Sequence, residues 1–422
     1  MLQKNIKEKD SCRVCHKKLK SIITLGEQYV VNFIDSSDQN LIKAELDLVL
    51  CNLKDGGCGL LQLRHTVPGE LLYRNFWYKS GVNQSMRDAL KNITDAIKEK
   101  IELNSNDIVV DIGANDGTLL RSYEIDGLNL IGFEPAKNLV SDASVGTTKV
   151  INDFFNSSAF QNEFPNRKAK VITSIAMFYD LDDPNEFVNN ISKILDDNGI
   201  WVIQMNYLGT MLENNSFDNI VHEHLEYYSL KSLENLLSRH DLEIFDAEIN
   251  DVNGGSIRTY VKKKKAVFSI TSNINKIREY EKQIGLDDIQ SYLEFANRIK
   301  ELKKKTRTFI ENQVKAGKIV YVYGASTRGN TLLQYYELDK TLIRAAADRN
   351  PIKWGKKIVG SEIPIISEEQ ARKEKPDYFL VLPWYFLKEF LEREKEYLQD
   401  GGKFIVPLPE FQIFDKSKKS FN

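Results

Sequence analysis

The stretch that decides the fold is IVVDIGANDGTLL, residues 108–120. Its first residues, Ile108 to Val110, are a β-branched run that predicts a strand. Asp111 through Gly117 reads as a turn, in which Gly113 and Gly117 let the backbone come close to a ligand. Thr118 opens a helix. A strand, a glycine turn and a helix in that order aim peptide N–H groups at a bound cofactor, with Asp111, Asn115 and Asp116 as its polar neighbours. The turn is not G-x-G-x-x-G, and no Lys-Ser/Thr follows it. Neither a pyrophosphate dinucleotide site nor a P-loop is therefore favoured.

The residues downstream extend the unit. At NLIGFEP (129–135) a second strand, Leu128 to Phe133, ends in Glu134, about 20 residues past the glycines, where a carboxylate can accept both hydroxyls of a ribose. INDFF (151–155) offers an apolar contact for an adenine, with Phe154 as the candidate. VITSIAMFYD (171–180) is the fourth strand and its loop, which sets Ala176 at the carboxyl edge of the sheet. GIWVIQMNY (199–207) is the fifth strand and ends beside Asn206. Five strands in this order resemble the class I S-adenosylmethionine-dependent methyltransferase fold.

Composition sets the outer limits. A chain of 422 residues is too long for one ordinary domain. With 58 basic and 60 acidic residues the net charge is −2, which gives no footprint for nucleic acid. The opening MLQKNIKEKD has no apolar core of a secretory signal, and no run of about 18 apolar residues predicts a membrane span. The expectation is a cytoplasmic protein with reduced thiols.

All four cysteines, Cys12, Cys15, Cys51 and Cys58, lie near the N-terminus. Cys-Arg-Val-Cys suits a tight turn whose thiolates converge on one ion, and Gly56 and Gly57 let the second pair fold back. Two such pairs read as a tetrahedral zinc site. Four sulfur ligands leave no open position, so the zinc is expected to be structural.

Residues 274–313 are charged, with Ile277, Tyr280 and Ile284, then Phe295, Ile299 and Leu302, at helical spacing. Amphipathic connecting helices are expected, and a coiled-coil dimer is the alternative. KIVYVYGASTRGNTLLQYY (318–336) then starts a second βαβ series. Gly324, Ser326, Arg328 and Asn330 form a small-residue loop at a helix N-terminus, and Asp348 ends the next strand. Such a loop suits a phosphate group, with Arg328 to neutralise its charge.

The last stretch to place is NIVHEHLEYYSL, residues 219–230. Together with CRVC, CGLLQL (58–63), YKSG (78–81), DIGANDGTLL, GFEPAKN, NGGSIR (253–258), YGASTRGNTLL and DRNPIKWGK, it resembles the sugar C-methyltransferases of deoxysugar pathways. Those enzymes methylate C3 of nucleotide-linked 4-keto sugars. The resemblance runs from about Cys12 to Phe414. It implies that His224 removes the proton beside the ketone, with Glu223 and Tyr78 close by and His222 near the sugar. The fold it implies is α/β. Residues 1–75 would be a zinc module, 76–268 the methyltransferase domain, 269–316 a helical connector, and 317–422 a Rossmann-like domain that binds the nucleotide sugar. The chain departs from the family pattern at Val221, where many members carry tyrosine, and at AMFYDLDDP (176–184), where many carry a histidine. A monomer or small homo-oligomer is expected, without nucleic acid or membrane partners. Alternatives are O- or N-methylation of a related nucleotide sugar, and a bifunctional protein that binds a nicotinamide cofactor. A scaffold with an inactive methyltransferase domain is a further alternative.

Overall fold

The run Ile108–Ile112 is buried along its whole length, as a strand covered on both faces must be, and lies inside a seven-stranded sheet. The computed structural model describes residues 6–30, 33–34, 41–74 and 78–417. The strands of this sheet follow the spatial order Leu242–Asn250, Ser256–Lys263, Leu195–Asn206, Ala169–Ile175, Ile108–Ile112, Asn129–Phe133 and Lys149–Ile151. The last five are mutually parallel. The first two form an antiparallel hairpin on one edge, in addition to the five strands expected from the sequence. The chain reverses its direction of travel across the sheet between Ile108–Ile112 and Ala169–Ile175, so the carboxyl ends of these strands open a crevice. The fold class is the expected one.

A second sheet of six strands follows the order Ile365–Ser367, Ala346–Asp348, Val320–Tyr323, Tyr378–Val381, Lys403–Val406 and Gln412–Phe414. It is parallel except for its last strand, so this part is also Rossmann-like. The helices Ser272–Gln283 and Ile289–Lys315 join the two sheets. Phe295, Ile299 and Ile310 of the longer helix pack in one cluster with Val320, Tyr321 and Leu333. The apolar stripe predicted for a connector is thus covered within the chain itself.

The N-terminal part is a four-stranded antiparallel sheet in the order Glu226–Tyr227, Leu61–Leu63, Lys43–Leu50 and Lys20–Tyr29. Its first strand comes from the stretch 219–230, so the histidine-rich segment is woven into the cysteine module. The module does not stand apart. Cys12, Cys51, Cys58 and Leu60 share a core cluster with Ile108, Phe178, Tyr228 and Leu233. Among the described residues no helix is long and apolar enough to cross a membrane.

Arg13 fastens the module to the larger sheet. Its guanidinium donates to the Leu63 carbonyl and to Thr66 Oγ1 (2.7 Å) and lies 3.7 Å from Asp182, while only 3% of the residue is exposed. Removing one partner of such a buried set leaves the others desolvated and unpaired. Arg13→Met is expected to cost about 3 kcal/mol, read as a lowered urea midpoint at unchanged slope.

Candidate active site

Two cavities meet at the carboxyl edge of the seven-stranded sheet. The first, about 470 Å³, is lined by Gly113, Asn115, Glu134, Pro135, Phe154 and Ala176, with Thr66, Tyr73 and Asp182 opposite. Gly113 and Gly117 have φ of +73° and +77°, which glycine adopts without strain. The turn is held by its neighbours. The N–H groups of Gly113 and Ala114 both donate to the Phe133 carbonyl, and the Asn115 N–H donates to Glu134 (2.7 Å). The other Glu134 oxygen accepts from the Ala136 N–H at 2.7 Å. The Glu134 carboxylate is thereby oriented at the cavity wall. Burial pushes its pKa up, and these two N–H groups pull it back.

Asn115 does a second job. Its side chain accepts from the Ser80 N–H (2.9 Å) and donates to the Tyr78 carbonyl (3.0 Å). Asp116 accepts from the Gly81 N–H at 2.8 Å. The segment Tyr78–Gly81 is thus pinned across the glycine turn, and Tyr78 reaches both cavities.

The second cavity, about 380 Å³, lies between the two Rossmann-like parts. It is lined by Asn206, Glu223, His224, Asn253, Arg328 and Tyr385. Tyr73, Tyr78, Ala176, Asp180 and Glu223 line both spaces, so a group in one can reach a group in the other. His224 is set by two contacts. Its Nδ1 lies 2.9 Å from the Asn219 carbonyl, and its ring packs edge-on against Tyr179 at 4.4 Å. Its Nε2 has no hydrogen-bond partner among the described residues. A carbonyl only accepts, so Nδ1 carries the proton and Nε2 keeps its lone pair. Burial lowers the His224 pKa to about 4, so the ring is neutral at pH 7. Burial raises Glu223 to about 7 and Tyr78 to about 12. Asp180 is pushed up by burial and then by the nearby Glu223 and Glu226 carboxylates.

Several expected site residues sit elsewhere. His222 faces away from both cavities; its Nε2 meets the Ala44 carbonyl at 3.0 Å in the N-terminal sheet. Asp116 and Gly117 do not line the first cavity, since Asp116 holds Gly81 and caps Thr118, and Gly117 packs against Ala143. Asp111 borders the second cavity and accepts from Thr173 Oγ1 (2.6 Å), and burial raises its pKa to about 7. Gly324, Ser326, Asn330 and Asp348 line neither space. Their loop already uses its own N–H groups: Asp348 accepts from Ala325 and Ser326 from Gly329. Arg328 alone of that set reaches the cleft, and its Nε donates to Asp218 at 2.9 Å. A phosphate cradle at 324–330 therefore has no open N–H pair at those two positions. The sequence reading missed Tyr73, Asp218 and Tyr385. For Tyr73 a signal existed in the aromatic density of YRNFWY (73–78), of which 75–77 lie outside the described residues. Asp218 and Tyr385 acquire meaning only through tertiary contact.

The four cysteine Sγ atoms all lie within 4.8 Å of one another, with Cys12–Cys58 at 3.5 Å and Cys15–Cys51 at 3.3 Å. A tetrahedron built on Zn–S bonds of about 2.3 Å has edges of about 3.8 Å. The N–H groups of Val14 and Cys58 point at Cys12 and Cys51 Sγ, as suits thiolate ligands. A Cβ at Gly57 would lie 2.6 Å from Cys51 Sγ, so glycine is required for the approach.

Comparison with known proteins fits this geometry. A family model described as "C-methyltransferase C-terminal domain" matches residues 251–409, one described as "Methyltransferase domain" matches 80–247, and one described as "Putative zinc binding domain" matches 12–73. The C-methyltransferase NovU of Streptomyces niveus is 32% identical over 420 residues, covering 98% of each chain. The chain belongs to the C-methyltransferase family. Among solved structures, the plantazolicin methyltransferase BpumL in complex with SAH is 12% identical, covers 42% of this chain and 84% of its own, and has a TM-score of 0.34. An S-adenosylmethionine-dependent methyltransferase from Clostridium acetobutylicum is 15% identical, covers 43% and 92%, and has a TM-score of 0.32. As a C-methyltransferase the chain is an enzyme whose methyl donor is S-adenosylmethionine, and the first cavity, with Glu134 on its wall, fits that donor. Glu134→Gln is expected to weaken S-adenosylmethionine binding about 10- to 100-fold by calorimetry, the loss of one charge-assisted hydrogen bond.

Proposed function

We propose that this C-methyltransferase moves the methyl group of S-adenosylmethionine onto a carbon beside the ketone of a nucleotide-linked deoxysugar. The observation that carries the reading is the wall common to both cavities, with the bare Nε2 of His224 in the second. The methyl donor, bound in the first cavity, supplies an electrophilic methyl on a sulfonium. His224 takes the proton from the carbon beside the ketone through Nε2. Tyr78, uncharged at neutral pH, donates a hydrogen bond to the oxygen on which negative charge develops. The carbon then bonds to the methyl as the carbon–sulfur bond breaks, and His224 returns its proton to water. Burial of the site strengthens each of these polar contacts. The second Rossmann-like part closes the cleft through Arg328 and Tyr385, which supports its holding the nucleotide portion.

His224→Gln is expected to keep methyl-donor affinity and to lose turnover by a factor of about 10²–10⁴. The probe is a nucleoside-diphosphate 4-keto-6-deoxysugar in heavy water, where the wild type exchanges the proton beside the ketone without methyl donor. An ether or amine product without that exchange would reassign the reaction to oxygen or nitrogen.

The pH profile separates the two candidate bases. His224 must be neutral to act. Its neutral form is present above about 4 and is lost as pH falls through that value. The acid limb of kcat/KM is therefore expected near 4. A limb centred near 7, where Glu223 titrates, would transfer the role of base to Glu223.

Zinc is proposed at Cys12, Cys15, Cys51 and Cys58 as a structural ion. Metal analysis is expected to find about one zinc per chain. Cys12→Ser should lower that content and the melting temperature together, since a ligand at 100 times its Kd contributes about 2.7 kcal/mol. Full zinc content in the variant would remove Cys12 from the site.

A further inference from the structure

The sequence marked Arg328 as a phosphate ligand, but the structure gives its guanidinium other work. Its Nε donates to Asp218 Oδ2 at 2.9 Å, and its Nη2 lies 2.9 Å from the same oxygen. Nη1 donates to the Asn253 carbonyl at 2.8 Å, and the guanidinium stacks over the Tyr385 ring at 4.7 Å. Trp384 Nε1 adds a further contact to Asp218 Oδ2 at 3.3 Å. Asp218 is 1% exposed and belongs to the methyltransferase part, whereas Arg328, Trp384 and Tyr385 belong to the C-terminal part. A buried carboxylate paired with a guanidinium from across the cleft is a fixed point, because releasing Arg328 would leave a desolvated charge.

The next residue is the one that touches the base. The Asn219 carbonyl accepts from His224 Nδ1 at 2.9 Å and from the Tyr227 hydroxyl at 3.3 Å. Its side-chain oxygen accepts from Asn206 at 2.9 Å. The short turn Phe217–Asn219 is thus gripped on one side by the C-terminal part and on the other by His224. The direction of one carbonyl decides which imidazole nitrogen keeps its lone pair.

We infer that Arg328 is a positioning residue: through Asp218 it fixes the Asn219 carbonyl and so holds His224 in the tautomer whose Nε2 faces the substrate cleft. The inference rests on the reading of His224 as the base. It makes the C-terminal part a component of the proton-transfer apparatus, although neither His224 nor the methyl-donor cavity belongs to it. The base is set only when the two parts are docked.

The test is nitrogen-15 NMR of histidine-labelled full-length protein at pH 7.5, with the His224 signals assigned by their loss in His224→Gln. Wild type is expected to show a protonated Nδ1 and a bare Nε2. Arg328→Met alone strands the Asp218 charge and can unfold the chain, so the informative variant is Arg328→Met with Asp218→Asn, which removes both charges together. In that variant the two His224 nitrogens should move to averaged shifts that report tautomer exchange. Calorimetric affinity for S-adenosylmethionine should stay within about twofold, while kcat on the 4-keto nucleotide sugar falls at least about 30-fold. Arg328→Lys, which keeps a charge on Asp218, should recover part of kcat. A protonated Nε2 in the wild type, or an unchanged tautomer in the double variant whatever its kcat, overturns the inference. Averaged shifts with a normal kcat overturn it equally. If the wild type leaves the sugar probe unmethylated, the substrate reading fails, and the spectra still decide the relay.

Discussion

The interaction on which the site depends is a short β-ladder, with Glu226 opposite Gln62 and Tyr227 opposite Leu61. Through it the segment that carries the imidazoles becomes the edge strand of the cysteine module. The Leu63 N–H extends the pairing by donating to the Leu225 carbonyl at 2.9 Å. With this end fixed, the residues just before it have little freedom. His222 turns into the N-terminal sheet and meets Ala44, while Glu223 and His224 turn into the cleft. The cysteine module is therefore a wall of the cleft as well as a gathering point of four thiols. Thr66 and Asp182, which meet at 2.9 Å behind Arg13, carry the same wall into the first cavity.

Burial does most of the electrostatic work. Tyr73, Tyr179, Asp180 and Glu223 surround the junction of the two cavities, and desolvation is the largest cause of the shift at each. The same effect acts in the opposite direction on His224, because the charged form of an imidazole is the cation. A low dielectric thus yields a neutral imidazole beside acids that keep their protons more readily. Near neutral pH, that combination suits taking a proton from carbon while stabilising charge on oxygen. Among the described residues lining the two cavities, Arg328 is the cation, and Asp218 balances it.

Much of the fold was legible in the sequence. The strand from 108, its glycine turn, the acid at 134 and the second series near 320 are local patterns, and each lies close to where the local pattern placed it, although the first strand runs on through Asp111 and Ile112, which were expected in the turn. The spacing of Cys12, Cys15, Cys51 and Cys58 also foretold their gathering. The antiparallel hairpin Leu242–Lys263 is not legible there, because its pairing with Leu195–Asn206 is a long-range choice.

The candidate site was legible as a set of residue types and only partly as a set of positions. Local sequence dictates the glycine turn and the acid that line the first cavity, since φ at Gly113 and the reach from there to Glu134 follow from one strand–turn–strand unit. It also determined that an imidazole and a carboxylate lie side by side at 223–224. Long-range pairing selects which histidine faces the cleft, because that depends on which sheet captures residue 226. It likewise turned Arg328 from an apparent phosphate ligand into the partner of Asp218, 110 residues away. The physical reason is the same in both cases. Backbone conformation is dictated by neighbours in the chain, whereas the partner of a buried charge or a ring nitrogen is whatever group the packed fold brings within about 3 Å.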